Sequence, residues 1–424
     1  MRLSRGNFAT FRERVNNEPL SQQLLLQSNQ LKKYGTGIYG KNHLLVKAQE
    51  NIEAVIRKTL DFYDCIEISL PLLQPKSIFE KSKNFKNYYF HRQMFYCNTP
   101  NSTLRLVPSA EEAVLEFVKS NIRSYKQLPI NVYQIGTKFR NESCSQGGLL
   151  RSREFTMMDA YSFHVSQEDL ANEYQSMHNA YLDIFDALGI NIIPVQALSC
   201  YTGEEYSEEF MAIADYGEET LLVNNDFTIC FNKEILDLPN AYEIILSNYG
   251  IRFDQNQFHE EHCIKLGHIS QLGQNYSRKL KGIFTGPDNK PHYYYMGYYS
   301  IGVSRTLATM CEINCDFSGL AWPLSIAPYL VHIVYNENKS DQAEQLYKKL
   351  LKVTPKVAID DRPNVSFGAK LKDSVLFGNP YVVIIGNSFD GNTYEVDARL
   401  TGSKLKLSFD ELVSLITRIQ LQHS

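Results

Sequence analysis

Between Phe139 and His164 the chain reads FRNESCSQGGLLRSREFTMMDAYSFH. Arg140 and Glu142 stand at i and i+2, a spacing that on a strand points both side chains from one face. A polar loop with Gly147 and Gly148 follows, and then a β-like run from Arg153 to Met158 that ends in Asp159. A hairpin presenting Arg, Glu, Arg and an aromatic on one side suits a nucleotide. Arg clamps a phosphate with two parallel hydrogen bonds, Glu accepts from an amine, and Phe155 stacks on a base. The same residue types also make ordinary cross-strand ion pairs on a surface hairpin, and the stretch alone leaves both readings open.

Three other stretches carry chemistry-bearing residues. Leu104 to Glu112, LRLVPSAEE, reads as a strand, a proline turn and a helix opened by Ser109. Ser109 with Glu112 three residues on has the form of a capping box. Leu266 to Gly273, LGHISQLG, is followed by Tyr276-Ser277. Met296 to Leu307, MGYYSIGVSRTL, reads as a strand, a Gly-rich turn and a helix bearing Arg305. Taken alone, that pattern is weak, and Gly302 reads first as a helix-packing residue and only second as a site of close backbone approach to a nucleotide.

These residues need a scaffold of some size. A chain of 424 residues exceeds one ordinary core and fits two or three domains. Hydrophobic residues at 43% and charged residues at 21% are those of a soluble globular protein. A net charge of −4 provides no global basic field, so any RNA contact must come from local Lys/Arg clusters. The 8 cysteines show no CxxC, and the Cys311/Cys315 spacing is one helical turn, so free thiols in a reducing compartment are expected. The N-terminal MRLSRGNFATFRERVNNE lacks a signal-like apolar run and no stretch approaches a membrane span; a cytoplasmic location is expected.

Along the chain, Leu44 to Leu60 has the periodicity of an amphipathic helix, followed by a strand, Cys65 to Leu70, stopped by Pro71. Pro129 to Ile135 predicts a strand leading into the hairpin, Gln167 to Leu188 a helix, and Ile190 to Val195 a strand. Trp322 to Pro328 is a proline-punctuated junction. Beyond it, strands at 330–335, 356–360, 381–386 and 394–400 alternate with helices at 340–351, near Ala369 and at 408–420, which predicts a small α/β domain with a mostly parallel sheet.

The FRNE–loop–GLLRSREFTMMDAYSFH stretch resembles the second signature motif of class II aminoacyl-tRNA synthetases, in the form typical of bacterial prolyl-tRNA synthetases. The helix, strand and Pro71 resemble the first motif, which builds that family's dimer interface, and the strand–turn–helix bearing Arg305 resembles the third. The resemblance runs from about residue 20 to the C-terminus. It implies an α+β fold: a class II catalytic domain, residues 1–322, with an antiparallel sheet flanked by helices, and an anticodon-binding-type α/β domain, 326–424, marked by Asp360-Asp361-Arg362, Gly368 and Gly378-Asn379-Pro380. It implies ATP-dependent activation of proline, with Mg²⁺ as cofactor, transfer to tRNA, and a homodimer. Arg140 would bridge carboxylate and α-phosphate, Glu142 would meet the adenine amine, Phe155 would stack on the base, and Arg305 would serve the γ-phosphate side, with Arg151 and Gln271 also lining ATP. Ser109, Glu111, Phe210, His268, Ser270, Tyr298 and Ser300 would line the amino acid, Glu111 holding its ammonium. Metal ligands are not identified.

The chain departs from the family pattern near the amino acid. Ser109 stands for the usual Thr, Glu208 for a His in the segment Glu205 to Ala214, Ser270 for a Phe and Tyr298 for a Cys. The span from Asn224 to Glu261 has no room for the large editing insertion of many bacterial prolyl enzymes, so a short form is expected. A paralogue that activates another amino acid or loads another acceptor, and a catalytically dead binding paralogue, are the alternatives; intact Arg140, Glu142 and Arg305 speak against the second.

Overall fold

The computed structural model describes residues 1–11, 18–82, 94–142, 147–198 and 206–422. Two of the cysteines, Cys144 and Cys200, and Glu205 lie outside them. The chain gathers into two compact units, one of residues 55–146 and 150–309, the other of 1–54, 147–149 and 310–424.

The first unit contains, in chain order, the end of α1 (His43–Phe62), then β1 (Ile66–Glu67), β2 (Ser102–Leu106), α2 (Glu111–Asn121), β3 (Ile130–Phe139) and β4 (Glu154–His164). Next come α3 (Gln167–Leu188), β5 (Ile192–Gln196), β6 (Ser207–Ile213), β7 (Glu219–Asn224), β8 (Cys230–Asn232) and α4 (Ala241–Tyr249). It closes with β9 (Phe258–Gly273), β10 (Tyr295–Ile301) and the start of α5 (Val303–Ile313). A nine-stranded sheet runs β8-β7-β9-β10-β4-β3-β1, with β6 joined to both β9 and β5. Its ladders are antiparallel except where β1 pairs with β3.

Helix α3 spans the residues expected from the sequence, Gln167 to Leu188. Ser166 Oγ accepts from the Asp169 N–H at its start, and Gly189, at φ 77°, turns the chain out of it. Its stripe of Leu170, Tyr174, Met177, Tyr181, Ile184, Phe185 and Leu188 is buried, the spacing of one helical face. It covers one face of the sheet at β4, β9 and β10. Toward the other face, Val114, Leu115 and Val118 of α2 share a core with Val132, Phe163 and Met296 of the sheet. Between β7 and β9 the chain forms a small lobe around Phe231, Ile235, Ile244 and Ile245.

Several local expectations change. The strand after α1 is two residues long, Ile66–Glu67, not Cys65–Leu70. Strand β4 continues through Asp159 to His164 because its ladders to β3 and β10 continue that far. Ser109 does not cap α2: Ala110 is the N-cap and no side chain fills that role. Arg140 and Glu142 stand just past the end of β3, where the Arg140 N–H still reaches the Arg153 carbonyl.

The second unit carries β11 (Val331–Tyr335), α6 (Ser340–Leu350), β12 (Val357–Ile359), α7 (Phe367–Phe377), β13 (Tyr381–Ile385), β14 (Tyr394–Ala398), β15 (Ser403–Leu407) and α8 (Phe409–Gln422). Its sheet order is β12-β11-β13-β14-β15. The sheet is mixed, not mostly parallel: β11 runs parallel to β12 and β13, while β14 and β15 join antiparallel. The turn between β14 and β15 is only a few residues long, which permits antiparallel pairing alone. Strand β15, SKLKL, is absent from the sequence expectations although Leu405 and Leu407 alternate with lysines. Gly378, at φ 73°, ends α7 where an added Cβ would collide with the Leu320 backbone. Asp360-Asp361-Arg362 works inside this unit. Arg362 binds Asp360 at 2.6 Å, Asp373 at 2.8 Å and the Phe8 carbonyl at 2.7 Å, while Asp361 takes Arg2 at 3.1 Å. Those contacts hold the N-terminal residues along β12, where Arg2 bridges Ile359 in parallel.

Candidate active site

Directly opposed residues in an antiparallel ladder share a face. Two rows follow from the registers. One is Asp159–Ser300–His268–Glu209 and the other is Tyr161–Tyr298–Ser270–Ser207, each crossing β4, β10, β9 and β6. With Phe155 and Met157 further along β4, they line the face away from α3. The next rows belong to the other face. Phe210, fully buried, packs there on Tyr181, Phe185 and His178 at ring distances of 4.9, 6.3 and 5.5 Å. The sheet therefore separates Phe210 from Ser270, His268, Tyr298 and Ser300, which it brings together.

Above the Tyr161–Tyr298 row sits the turn Pro108-Ser109-Ala110 and the first residue of α2, Glu111. Glu111 is 7% exposed. Burial, and then the charge of Glu112, push its carboxyl up to about 7, against a hydrogen bond from Ser109. The Tyr298 ring lies 5.5 Å from that of Tyr161 and 6.0 Å from that of His268, and its hydroxyl meets Ser300. Burial lowers His268 to about 4, helped by the charges of Lys265 and Arg140, so its imidazole is neutral at ordinary pH.

Arginines mark the other end of the face. The Arg140 guanidinium lies 5.3 Å from the Phe155 ring and donates to the Pro108 carbonyl at 3.4 Å. Arg305 donates to the carbonyls of Leu150 at 2.9 Å and Lys265 at 3.0 Å. Burial lowers the Arg305 pKa, and the charge of Arg140 adds to that. Among the described residues neither Arg140 nor Arg305 forms an ion pair. Two partly desolvated cations held by carbonyls, with the Met157 sulfur 3.9 Å from Arg140 as its further contact and Phe155 beside it, suit an anionic ligand with a flat ring. Arg151 is held by Glu142 at 3.1 Å and Glu218 at 3.5 Å, and the Glu142 carbonyl takes Arg153 at 3.2 Å. Gln271 Oε1 accepts from Gln167 at 2.6 Å. An added Cβ at Gly302 would meet Arg305 Cβ at 3.2 Å, so glycine there leaves Arg305 its room.

The profile of the tRNA synthetase class II core domain (G, H, P, S and T) matches residues 95–314, more than half of the chain. The chain belongs to the class II aminoacyl-tRNA synthetases. Residues 329–419 match the anticodon binding domain. Over 438 residues the synthetase is 34% identical to the proline–tRNA ligase of Sulfurimonas denitrificans, covering 98% of this chain and 100% of that one. The proline–tRNA ligase of Wolbachia sp. subsp. Drosophila simulans is 31% identical over 422 residues, covering 98% and 99%. In fold it matches the prolyl-tRNA synthetase of Cryptosporidium parvum solved with L-proline and AMP, with TM-score 0.74 at 17% identity over 95% of this chain and 75% of that one. It is a class II ligase of the prolyl type, and its core is a nucleotide-binding one.

The synthetase's departures from the family pattern fall into place spatially. Ser109 keeps the hydroxyl on Glu111. Ser270 is directly opposite Tyr298, so the small and large residues face each other across one ladder. Glu208 is on the α3 face, where its Oε2 accepts from Tyr174 at 2.9 Å and pairs with His178 at 3.1 Å. Sequence reasoning missed Lys138, Met157, Asp159 and Tyr161 on the site face. The alternation Phe155, Met157, Asp159, Tyr161 was the signal available for the last three.

Proposed function

We propose that this face activates proline with ATP and passes the prolyl group to tRNA. The observation that carries the reading is the division of the site: a buried carboxylate at Glu111 beside Tyr298, and two arginines that form no ion pair among the described residues, Arg140 beside Phe155 and Arg305 on the carbonyls of Leu150 and Lys265. Activation is attack of a carboxylate on the α-phosphorus of ATP. Both reactants are anionic, so the protein must align them and offset charge, and it needs no nucleophile of its own. Glu111 takes the proline ammonium, while His268, Ser270, Tyr298 and Ser300 bound its ring. Phe210 supports β9 from behind. Arg140 bridges the carboxylate and α-phosphate, Phe155 stacks on adenine beside Glu142, Arg151 and Gln271, and Arg305 holds the outer phosphates.

Among the described residues no group of three or more His, Cys, Asp or Glu forms a metal cage. Mg²⁺ held mainly by ATP oxygens and water fits such a site, where it would share the phosphate charge. Residues 1–322 serve as the catalytic domain and 326–424 as the tRNA-binding one; the profile matches at 95–314 and 329–419 support the two cores of that division, while residues 1–54 and 310–322 gather with the second unit. Exposed Phe62, Ile66, Leu72 and Leu73 around the short β1 support a homodimer through that region; light scattering that finds an active monomer at micromolar concentration overturns it. No helix of the described residues is long and apolar enough to cross a membrane, and the site of action is the cytoplasm. The decisive test of the reaction is ATP–pyrophosphate exchange across the twenty amino acids. Signal with proline is expected. Silence with proline and signal with another amino acid would transfer the assignment to a paralogue of different specificity.

A further inference from the structure

Lys138 and Asp159 are the most deeply buried ion pair of the first unit's site face, at 1% and 0% exposure with Nζ to Oδ1 at 2.8 Å. Neither touches solvent, and neither is among the groups assigned to receive ATP or proline. Burying two charges removes strong hydration, and an apolar pair of similar volume is often no less stable. Their value is better sought in what the pair orients. Asp159 Oδ2 accepts from Gln134 Nε2 at 3.0 Å and from the Tyr161 hydroxyl at 2.9 Å. A phenol that donates its one hydrogen to Asp159 has only lone pairs left. It receives the Ala110 N–H at 2.8 Å.

That last contact lies beside the amino acid site. Ala110 is the N-cap of α2, with no side-chain cap, and the next residue is Glu111. The turn is pinned at its other end as well, where Arg140 donates to the Pro108 carbonyl at 3.4 Å and the Phe139 N–H to the Val107 carbonyl at 3.0 Å. A backbone N–H and a carbonyl two residues apart are thus tied to two neighbouring strands, and Ser109 and Glu111 are aimed by the turn between and after them.

We propose that Lys138, Asp159 and Tyr161 form a buried relay of positioning residues that aims Glu111 at the ammonium of the amino acid. The inference rests on Glu111 as the ammonium-binding group. Lys138 holds Asp159 in place, Asp159 sets the direction of the Tyr161 hydroxyl, and the hydroxyl fixes the backbone from which Glu111 projects. The relay acts on amino acid binding and leaves the ATP end of the site alone.

The test is proline-dependent ATP–pyrophosphate exchange with full-length Tyr161→Phe, which keeps the ring and removes the acceptor. The KM for proline should rise about tenfold, the cost of leaving one buried N–H unpaired, while the KM for ATP stays within about twofold. Lys138→Met should show the same split. Because it leaves Asp159 buried without its cation and can unfold the protein, Tyr161→Phe is the deciding variant. Glu111→Gln is the control on the underlying assignment: an unchanged proline KM there overturns the role of Glu111. With that control intact, an unchanged proline KM in Tyr161→Phe, or equal rises for proline and ATP, overturns the relay. The double variant Tyr161→Phe/Glu111→Gln should be no worse for proline than Glu111→Gln alone, since the hydroxyl acts through that carboxylate. Multiplied effects would show that it does not.

Discussion

Exchanging the small and large residues across the β9–β10 ladder tests how the amino acid pocket is sized. Tyr298 is half-buried, packed between Tyr161 and His268 at 5.5 and 6.0 Å, and its direct ladder partner Ser270 is 8% exposed. Tyr298→Cys removes a ring with two aromatic neighbours, a loss of about 1.5–2 kcal/mol at a half-buried position. Ser270→Phe alone forces a second ring into the same space, an overpacking penalty of about 1–3 kcal/mol. Combined, the ring moves across one ladder rung and total volume is nearly kept, so the penalties should largely cancel. The expected coupling is about 2 kcal/mol, near the middle of the range for residues in contact. The stability penalties should be read in urea midpoints; in pyrophosphate exchange the accompanying misfit of the pocket should raise the KM for proline by about tenfold in each single variant, and the double variant should return to within about threefold of the parent. Penalties that simply add in the double variant would refute the shared-pocket reasoning. A double variant that fails with proline while the parent prefers a more polar amino acid would show that Ser270 hydrogen-bonds a substrate group.

Arg140→Ala and Arg305→Ala should each abolish adenylate formation with the fold unchanged, a loss of about 2–4 kcal/mol or more of transition-state stabilisation read by single-turnover kinetics. Arg140→Lys should not rescue, since an ammonium cannot bridge two oxygens in a plane; near-parent rates in any of the three remove the assignment. Glu111 sits at about 7 in the free protein, above its ordinary 4.5, and must be ionised to hold an ammonium. The kcat/KM for proline should therefore climb as pH rises through about 7, and calorimetry at about pH 6 should record proton release on proline binding; a flat profile there refutes the assignment. In the second unit, His332 is held at about 4 by burial, against an ordinary 6.5. Its neutral form is favoured by folding, so its contribution is full above about 6.5 and is lost as pH falls to about 4, a total of about 3 kcal/mol. Urea midpoints should fall across that window in the parent and less steeply in His332→Phe; equal slopes would discount His332.

The local pattern determined a good deal by itself. The 3.6-residue stripe of α3, bounded by Ser166 and Gly189, has a helical solution with both ends satisfied locally. The β3–β4 hairpin and the strand–turn–helix around Arg305 were likewise legible, because each is short-range and its polar residues have fixed offsets. What the sequence could not determine depends on pairings between distant segments. A period-2 pattern says that Phe155, Met157, Asp159 and Tyr161 share a face, but not that Ser300 and His268, more than a hundred residues on, complete that row. Phe210 looked like a pocket residue, yet the register of β6 against β9 turns it toward α3, since one residue of slip inverts every side chain. Ser109 had the spacing of a cap, but the Tyr161 hydroxyl takes the Ala110 N–H, so α2 starts one residue later and Ser109 is freed to meet Glu111. Whether an acid is a surface carboxylate or a buried ligand for an ammonium is decided by what tertiary packing removes from water, and Glu111 became such a group only when β4 and β10 closed beneath it.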